Sequence, residues 1–452
     1  MNRRRFLKIA GLTGLAVMAP VGLRPGSAAP GKYEGPFWIT LDAGGGWDPT
    51  LLCDPKGGVA DDKSSVNQSY TKGEIGSAGA FKYAPMGYTA AGVEVMTAKK
   101  FFDKHHGRLM ALNGVDTTTN NHDAGSRTIW SGQLAEGYPS LAAMIAADAA
   151  TKIGLPMAYL SSGGYDATAG LISLTRIANI DALQRIAYPN VMDPNSADSP
   201  SYHSQPTASR IAKAQSERLA AMQKKQTLPA LAGGMGSLFL ARESNDGLVA
   251  LGEALKGKEI VSIDDFPDLA AIPGGERYRV DDLRRLMRQA EIATIAFKAG
   301  VAVSANLSIN DFDTHNDNDN RQSRQLGQLL RGLDYLFAQL DALGLADKTY
   351  VLVGSDFGRT PSYNNENGKD HWNITSMLLS GPKIPKDKVI GSTDDGFVPK
   401  AINAGTLKED AGGLRIESKH IHRALRKVAG LAGGELDKQF PLPGEDLPLF
   451  EG

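Results

Sequence analysis

The sequence predicts an α/β fold, a three-layer sandwich with a central mostly parallel sheet and a helical insertion. Two observations carry this. Short apolar runs of strand length alternate with stretches of helical spacing, most regularly beyond residue 300, as when helical crossovers return parallel strands to one edge. Acids and histidines follow directly on several of these runs, and carboxylates and imidazoles at strand ends can converge on one site. With 42% hydrophobic residues and 51 glycines in 452 residues, the chain is globular and rich in turns. Its length suits one large domain or a domain with a substantial insertion.

The elements follow in order. Residues 37–41 read as a first strand, closed by Asp42 and then Gly44, Gly45 and Gly46. Three glycines permit a tight turn, but the spacing of a dinucleotide or phosphate loop is absent. Residues 54–90 are polar, glycine-rich and without clear periodicity, which predicts long surface loops. A short helix closes at 101–106, a second strand covers 109–115, and a polar loop runs from Asp116 to Asp123. An amphipathic helix is expected over 140–151, with Pro139 near its start, and a third strand over 157–160. Pro, Ser, Asn and Asp crowd 188–207 and mark an insertion boundary. Residues 209–226 predict a helix exposed on one side, and 228–255 are mainly helical, so that roughly 180–275 form a helical elaboration. A helix over 281–297 begins with two acids, where they suit the helix dipole. Strands at 301–308, 349–354 and 374–379, a long helix at 322–343 and a closing helix at 420–429 complete the pattern.

Composition excludes some classes of function. The formal net charge is -1; residues 1–29 hold Arg3, Arg4, Arg5, Lys8 and Arg24 and no acids, so without these five cations the remainder carries -6. No basic face for nucleic acid is implied. The arginines precede Phe6-Leu7-Lys8, an apolar run over 9–21 and the small residues Gly26-Ser27-Ala28-Ala29. That is the order of a secretory signal, and the paired arginines give it the twin-arginine form. The run is broken by Gly11, Gly14 and Pro20, and is shorter than the about 20 residues of a spanning helix. The expectation is a twin-arginine signal peptide over 1–29 and a single α/β domain over 30–452. The twin-arginine translocase would be the partner in export. The destination would be periplasmic or otherwise exported in a bacterium, with no membrane span in the mature chain. Cys53 is the one cysteine; it cannot form an internal disulfide and reads as partly buried and inert.

The chemistry gathers in a few short segments. They are Phe312-Asp313-Thr314-His315, Ser355-Asp356-Phe357-Gly358-Arg359-Thr360-Pro361 and Gly368-Lys369-Asp370-His371, with Asn120-Asn121-His122-Asp123-Ala124-Gly125-Ser126 and Trp130-Ser131-Gly132 before them. Together they resemble the DUF1501 family, exported proteins related to the alkaline phosphatase and sulfatase superfamily. The resemblance covers most of 35–430 and implies an alkaline phosphatase-like sandwich holding divalent metal. Carried over residue by residue, it implies that Asp42 takes the place of the metal-binding aspartate after the first strand. Thr117, Thr118 and Thr119 share the place of a nucleophile. Asp311 and His315 match an aspartate and a histidine four residues apart, with Asp313 competing for the first role. Asp356 matches the aspartate of an Asp-His pair whose histidine is replaced by Phe357, and His371 matches a later histidine. His122 is then a substitute ligand or an acid–base group.

The resemblance implies an exported metal-dependent hydrolase-like protein acting on phosphate or sulfate esters, with Arg359 orienting the oxyanion. Zinc or manganese suits mixed imidazole and carboxylate ligands. Calcium enters through the alternation Asp311, Asp313, His315, Asp317, Asp319, although Asn316 and Gln322 stand where a calcium loop has glycine and glutamate. Asp317 to Asn320 otherwise read as a solvated turn capping the helix from Gln322. Trp47, Tyr83, Tyr88 and Trp372 are candidates for an aromatic wall, while His105, His106, His420 and His422 read as structural. Phe357 and the lack of a clear nucleophile favour the alternative of a non-catalytic periplasmic binding or assembly protein on the same fold.

Overall fold

The computed structural model of the chain describes residues 32–153, 155, 157–176, 188–193, 196, 198–227, 251 and 261–451. The expected signal peptide and most of the helical stretch at 228–255 lie outside the described residues. The strands are β1 (Phe37–Ala43), β2 (Gly76–Ala78), β3 (Phe81–Tyr83), β4 (Gly87–Ala90), β5 (Val93–Thr97), β6 (Met110–Asp116), β7 (Tyr159–Ser161) and β8 (Leu174–Arg176). They continue with β9 (Ser304–Ile309), β10 (Thr349–Gly354), β11 (Gly358–Arg359), β12 (His371–Trp372), β13 (Ile374–Ser380) and β14 (Lys388–Ile390). The main helices are α1 (Ala98–His105), α2 (His122–Ser131), α3 (Leu141–Lys152), α4 (Gln205–Lys225), α5 (Asp281–Ala299), α6 (Asn318–Ala342) and α7 (Ser418–Val428).

Among the described residues eight strands form the main sheet in the order β14-β6-β13-β10-β1-β9-β7-β8. Only β13 pairs antiparallel to its neighbours, β10 and β6; the other pairings are parallel. β1 lies between β10 and β9, and all seven of its residues are buried. Phe37, Ile39, Leu41 and Ala43 point into one hydrophobic cluster and Trp38 into the other. Burial on both faces explains why the segment reads as a continuous apolar run rather than an alternation.

Helices cover both faces. Phe101 and Phe102 of α1, Leu283 and Leu286 of α5, and Leu329 and Leu333 of α6 fill one cluster. Ile129 and Trp130 of α2, Leu141 and Met144 of α3, and Ile421 and Leu425 of α7 fill the other. Each such side chain contributes about 1.5–3 kcal/mol relative to exposure. Local chemistry sets the ends of the helices that matter below. The Asn121 and Ser140 side chains accept from the third backbone N–H beyond them and cap α2 and α3. Gly132 (φ 77°) and Gly300 (φ 74°) end α2 and α5 in the left-handed region. Among the described residues no helix is long and apolar enough to cross a membrane.

Several expectations need correction. Residues 54–90 are not all loops: β2 pairs with β3, and β4 with β5, in small antiparallel ladders. Three- to five-residue strands are too short for alternation to show in the sequence. The long helix begins at Asn318, not Gln322, and Asp317 stands at its N-cap with φ 44° and no side-chain cap. Asn318 is fully buried: its amide donates to Asp48 and its carbonyl oxygen accepts from Thr314. Of the run read as a solvated turn, Asn318 alone is buried; Asp317 and Asn320 stay exposed. Cys53 is buried outright, and burial together with the Asp54 charge pushes its thiol up to about 12.

Candidate metal centre

The site loops leave one edge of the sheet. Asp42 lies in register with Ser308 of β9 and Gly354 of β10, and Asp116 with Ile374, where antiparallel β13 begins. The turns after β1, β6, β9 and β10 and the approach to β13 therefore start side by side.

Asp313 is the hub. Its Oδ1 accepts from Arg359 at 2.8 Å and lies 3.1 Å from His315 Nε2 and 3.3 Å from His371 Nε2. Its Oδ2 faces His122 Nε2 at 3.6 Å. The outer nitrogen of each ring is anchored: His122 Nδ1 to Asp356 Oδ2 at 2.6 Å, His315 Nδ1 to Asp370 Oδ1 at 2.8 Å, and His371 Nδ1 to the Asn120 carbonyl at 2.8 Å. A carbonyl oxygen or an ionised carboxylate only accepts, so each Nδ1 carries a proton. In the neutral rings every Nε2 then presents a lone pair. His315 Nε2 and His371 Nε2 are only 3.0 Å apart, where two lone pairs repel unless a cation or proton lies between them. His122, Asp313 and His371 place their ligand atoms within 4.8 Å of one another, a clustered His/Asp/His site able to coordinate a divalent metal. Metal-bound histidines are usually held in just this way, by an acceptor on the nitrogen that faces away from the ion.

Electrostatics follow this geometry. The hydrogen bond to Asp356, against some cost of burial, raises the pKa of His122. Burial lowers that of His371. Asp313 is pushed up by burial, but the Arg359 hydrogen bond and charge, with His315 and His122, hold it below the ordinary range. Asp42 is raised to about 7, first by burial and then by the Asp356 charge; the Trp130 indole N–H, donating at 2.8 Å, opposes this.

Close packing sets the arrangement. A Cβ on Gly125 of α2 would lie 2.4 Å from the Asp356 carbonyl oxygen, so glycine there lets the helix carrying His122 approach Asp356. Phe357 is fully buried, its ring 4.8 Å from that of His122 and 4.5 Å from that of His371. Arg359 is fully buried too. Its Nε donates to Gly46 O at 2.8 Å, one terminal nitrogen to Lys369 O at 3.0 Å, and the other to Gly45 O and Asp313. Its donors thus satisfy the carbonyls of the glycine turn and hold the hub carboxylate.

Other expected residues lie elsewhere. Asp311 (φ 73°) turns to Arg324 at 2.7 Å and Arg321 at 3.3 Å, away from the cluster. Asp317 accepts from Asn320, and Asp319 from Tyr363 and Ser69, so the alternating run does not enclose one ion. Thr117 is buried and its hydroxyl is directed at the Thr119 and Asn373 carbonyls. Thr118 is exposed with φ 58°, and the Thr119 hydroxyl accepts from Asn121 N–H. The aromatic wall does not form. Trp47 is buried against Thr375, Tyr83 stacks on Phe102, Tyr88 reaches the Arg279 carbonyl, and Trp372 packs beside the small cluster of Val66, Ile374 and Phe397. His105 and His106 pair with Asp334 and Asp387, and His420 and His422 are buried in α7. Sequence reasoning misses the anchoring roles of Asp370 and the Asn120 carbonyl; the signal for the first is its position next to His371 in sequence.

The fold and this edge define a class: an α/β sandwich with converging imidazoles and carboxylates at the ends of its parallel strands. Residues 264–405 match the model of DUF1501, described as a protein of unknown function, so the chain carries a DUF1501 domain. No curated protein matches the chain. Among solved structures, a putative sulfatase from Bacteroides thetaiotaomicron VPI-5482 aligns at 11% identity and TM-score 0.34, covering 92% of this chain and 74% of that one. Alkaline phosphatase from the Antarctic bacterium TAB5 aligns at 10% identity and TM-score 0.30, covering 79% and 95%. Similarities of this size bear on neither activity nor ligand.

Proposed function

We propose that the chain is an exported, metal-dependent hydrolase-like protein acting on phosphate or sulfate esters, with His122, His315, His371 and Asp313 as its metal ligands. The observation that carries this reading is the convergence of three anchored imidazoles on one carboxylate. A set rich in imidazole with one carboxylate suits zinc first and manganese second, and disfavours calcium. When bound, such an ion polarises an ester oxygen and acidifies a bound water. The chain's own residues do the rest. Asp356, Asp370 and the Asn120 carbonyl fix the rings, and Arg359 positions Asp313 instead of gripping an oxyanion. Asp42 and Asp356 supply carboxylates beside the cluster. Thr117 gives its hydroxyl proton to a carbonyl, whereas among the described residues no oxygen takes that of Thr118 or Thr119, and one of these two is the nucleophile. Export would be by the twin-arginine translocase, to the periplasm of a bacterium.

The test is a screen of phosphate and sulfate mono- and diesters with metal-stripped protein and with protein reloaded with zinc or manganese. Turnover that appears on reloading and is lost on chelation is expected. Tight metal binding without turnover of any ester would support the non-catalytic alternative, for which the burial of Phe357 between two imidazoles speaks.

A further inference from the structure

Helix α4 is the most exposed long element of the described chain. Of its described side chains only Ala208, Leu219 and Ala220 are half-buried; the others are exposed. A lone helix of 21 residues is marginal in water and ordinarily gains its stability by packing an apolar face. At 3.6 residues per turn, Ala208, Ile211, Ala212, Leu219 and Met222 share one sector, with Gln215 the one polar residue among them. Arg210, Lys213 and Lys224 stand opposite, and Arg218 and Lys225 border the apolar stripe. Ile211 and Met222 are 38% and 48% exposed, and the preceding segment adds Met192 at 43% and Tyr202 at 53%.

The charge is one-sided. Arg210, Lys213, Arg218, Lys224 and Lys225 against Glu217 give the helix +4 in a chain of net -1. None of these five cations forms an ion pair among the described residues, whereas Lys99, Lys100 and Lys104 of α1 are all paired. An apolar stripe bordered by unpaired cations fits the boundary between anionic headgroups and acyl chains. The stripe enters that boundary, while Arg218 and Lys225 lay their stems along it and reach the phosphates. A second copy fits poorly, because pairing the same face would bring the unpaired Arg218 and Lys225 of one copy against those of the other.

We propose that α4 docks the protein on an anionic phospholipid surface. The test is cosedimentation of the full chain with vesicles of phosphatidylcholine alone and of phosphatidylcholine with phosphatidylglycerol, at low and high salt. Binding to the anionic vesicles alone, weakened by salt, is expected. The pair Arg218→Glu and Lys225→Glu should weaken it by more than about a hundredfold, since each basic residue near such a surface contributes about fivefold. The pair Ile211→Ser and Met222→Ser should weaken it at least about tenfold with charge unchanged. Circular dichroism verifies that each variant stays folded. Failure of the wild type to bind anionic vesicles, equal binding to neutral ones, or wild-type binding by folded variants would overturn the proposal. So would a dimer that the same substitutions dissociate.

Discussion

Replacing His371 by alanine is expected to lower zinc affinity by more than about 100-fold while the fold survives. Even partners that only orient a metal-bound histidine are worth 10- to 100-fold, and His371 offers its own Nε2 beside Asp313 and His315. Its side chain is partly exposed at the rim of the sheet, so its loss opens no sealed core cavity. The readout is calorimetric zinc titration together with thermal unfolding. Zinc at 100 times its dissociation constant should stabilise the wild type by about 2.7 kcal/mol, and the variant should not respond. A folded variant that binds zinc as the wild type does would remove the triad from the site.

The second large effect is a gain. Asp42→Asn is expected to stabilise the metal-free protein above neutral pH by an amount on the order of 4 kcal/mol. The folded carboxyl is raised from 3.8 to about 7 by burial and by Asp356, and each tenfold change in proton affinity corresponds to about 1.4 kcal/mol. The unfolded chain loses this proton near 3.8 and the folded chain near 7. Between those values the unfolded state binds fewer protons, so stability falls as pH rises, and the full penalty stands above about 7. Asparagine removes the charge and keeps an oxygen for the Trp130 indole. Denaturant unfolding from about pH 4 to pH 8 should give a flatter stability profile for the variant, with the gain confined to the upper end. A variant less stable than wild type at the upper end would mean that the carboxylate is compensated in the fold.

The parts legible in the sequence are those where one physical demand acts alone. β1, β9 and β10 are buried along their whole length and β13 up to its last residue, because both faces are covered, and their ends mark the site edge. From that edge the sequence offers Asp356 and His371 as ligands; His371 lies in the cluster, and Asp356 holds the His122 ring instead. The choice between Asp311 and Asp313 could not: both precede His315, and only the left-handed backbone at Asp311 and the burial of Phe312 decide which acid faces inward. Arg359 reads as an anion-binding residue until the carbonyls of Gly45 and Gly46 are seen to need donors. Trp47 and Tyr83 belong to the core for a similar reason, since a sequence does not say which loop aromatics find a packed neighbour. His122 lies about 190 residues before His315 in sequence, and its partnership depends on the close approach of α2 at Gly125.

Zinc K-edge X-ray absorption on protein carrying one equivalent of zinc tests the central claim most directly. The account predicts a coordination sphere of three imidazole nitrogens at about 2.0–2.1 Å and a carboxylate oxygen at a similar distance, with one nitrogen lost in His371→Ala. A sphere with fewer than two imidazoles, or zinc that washes out of folded protein, would contradict it.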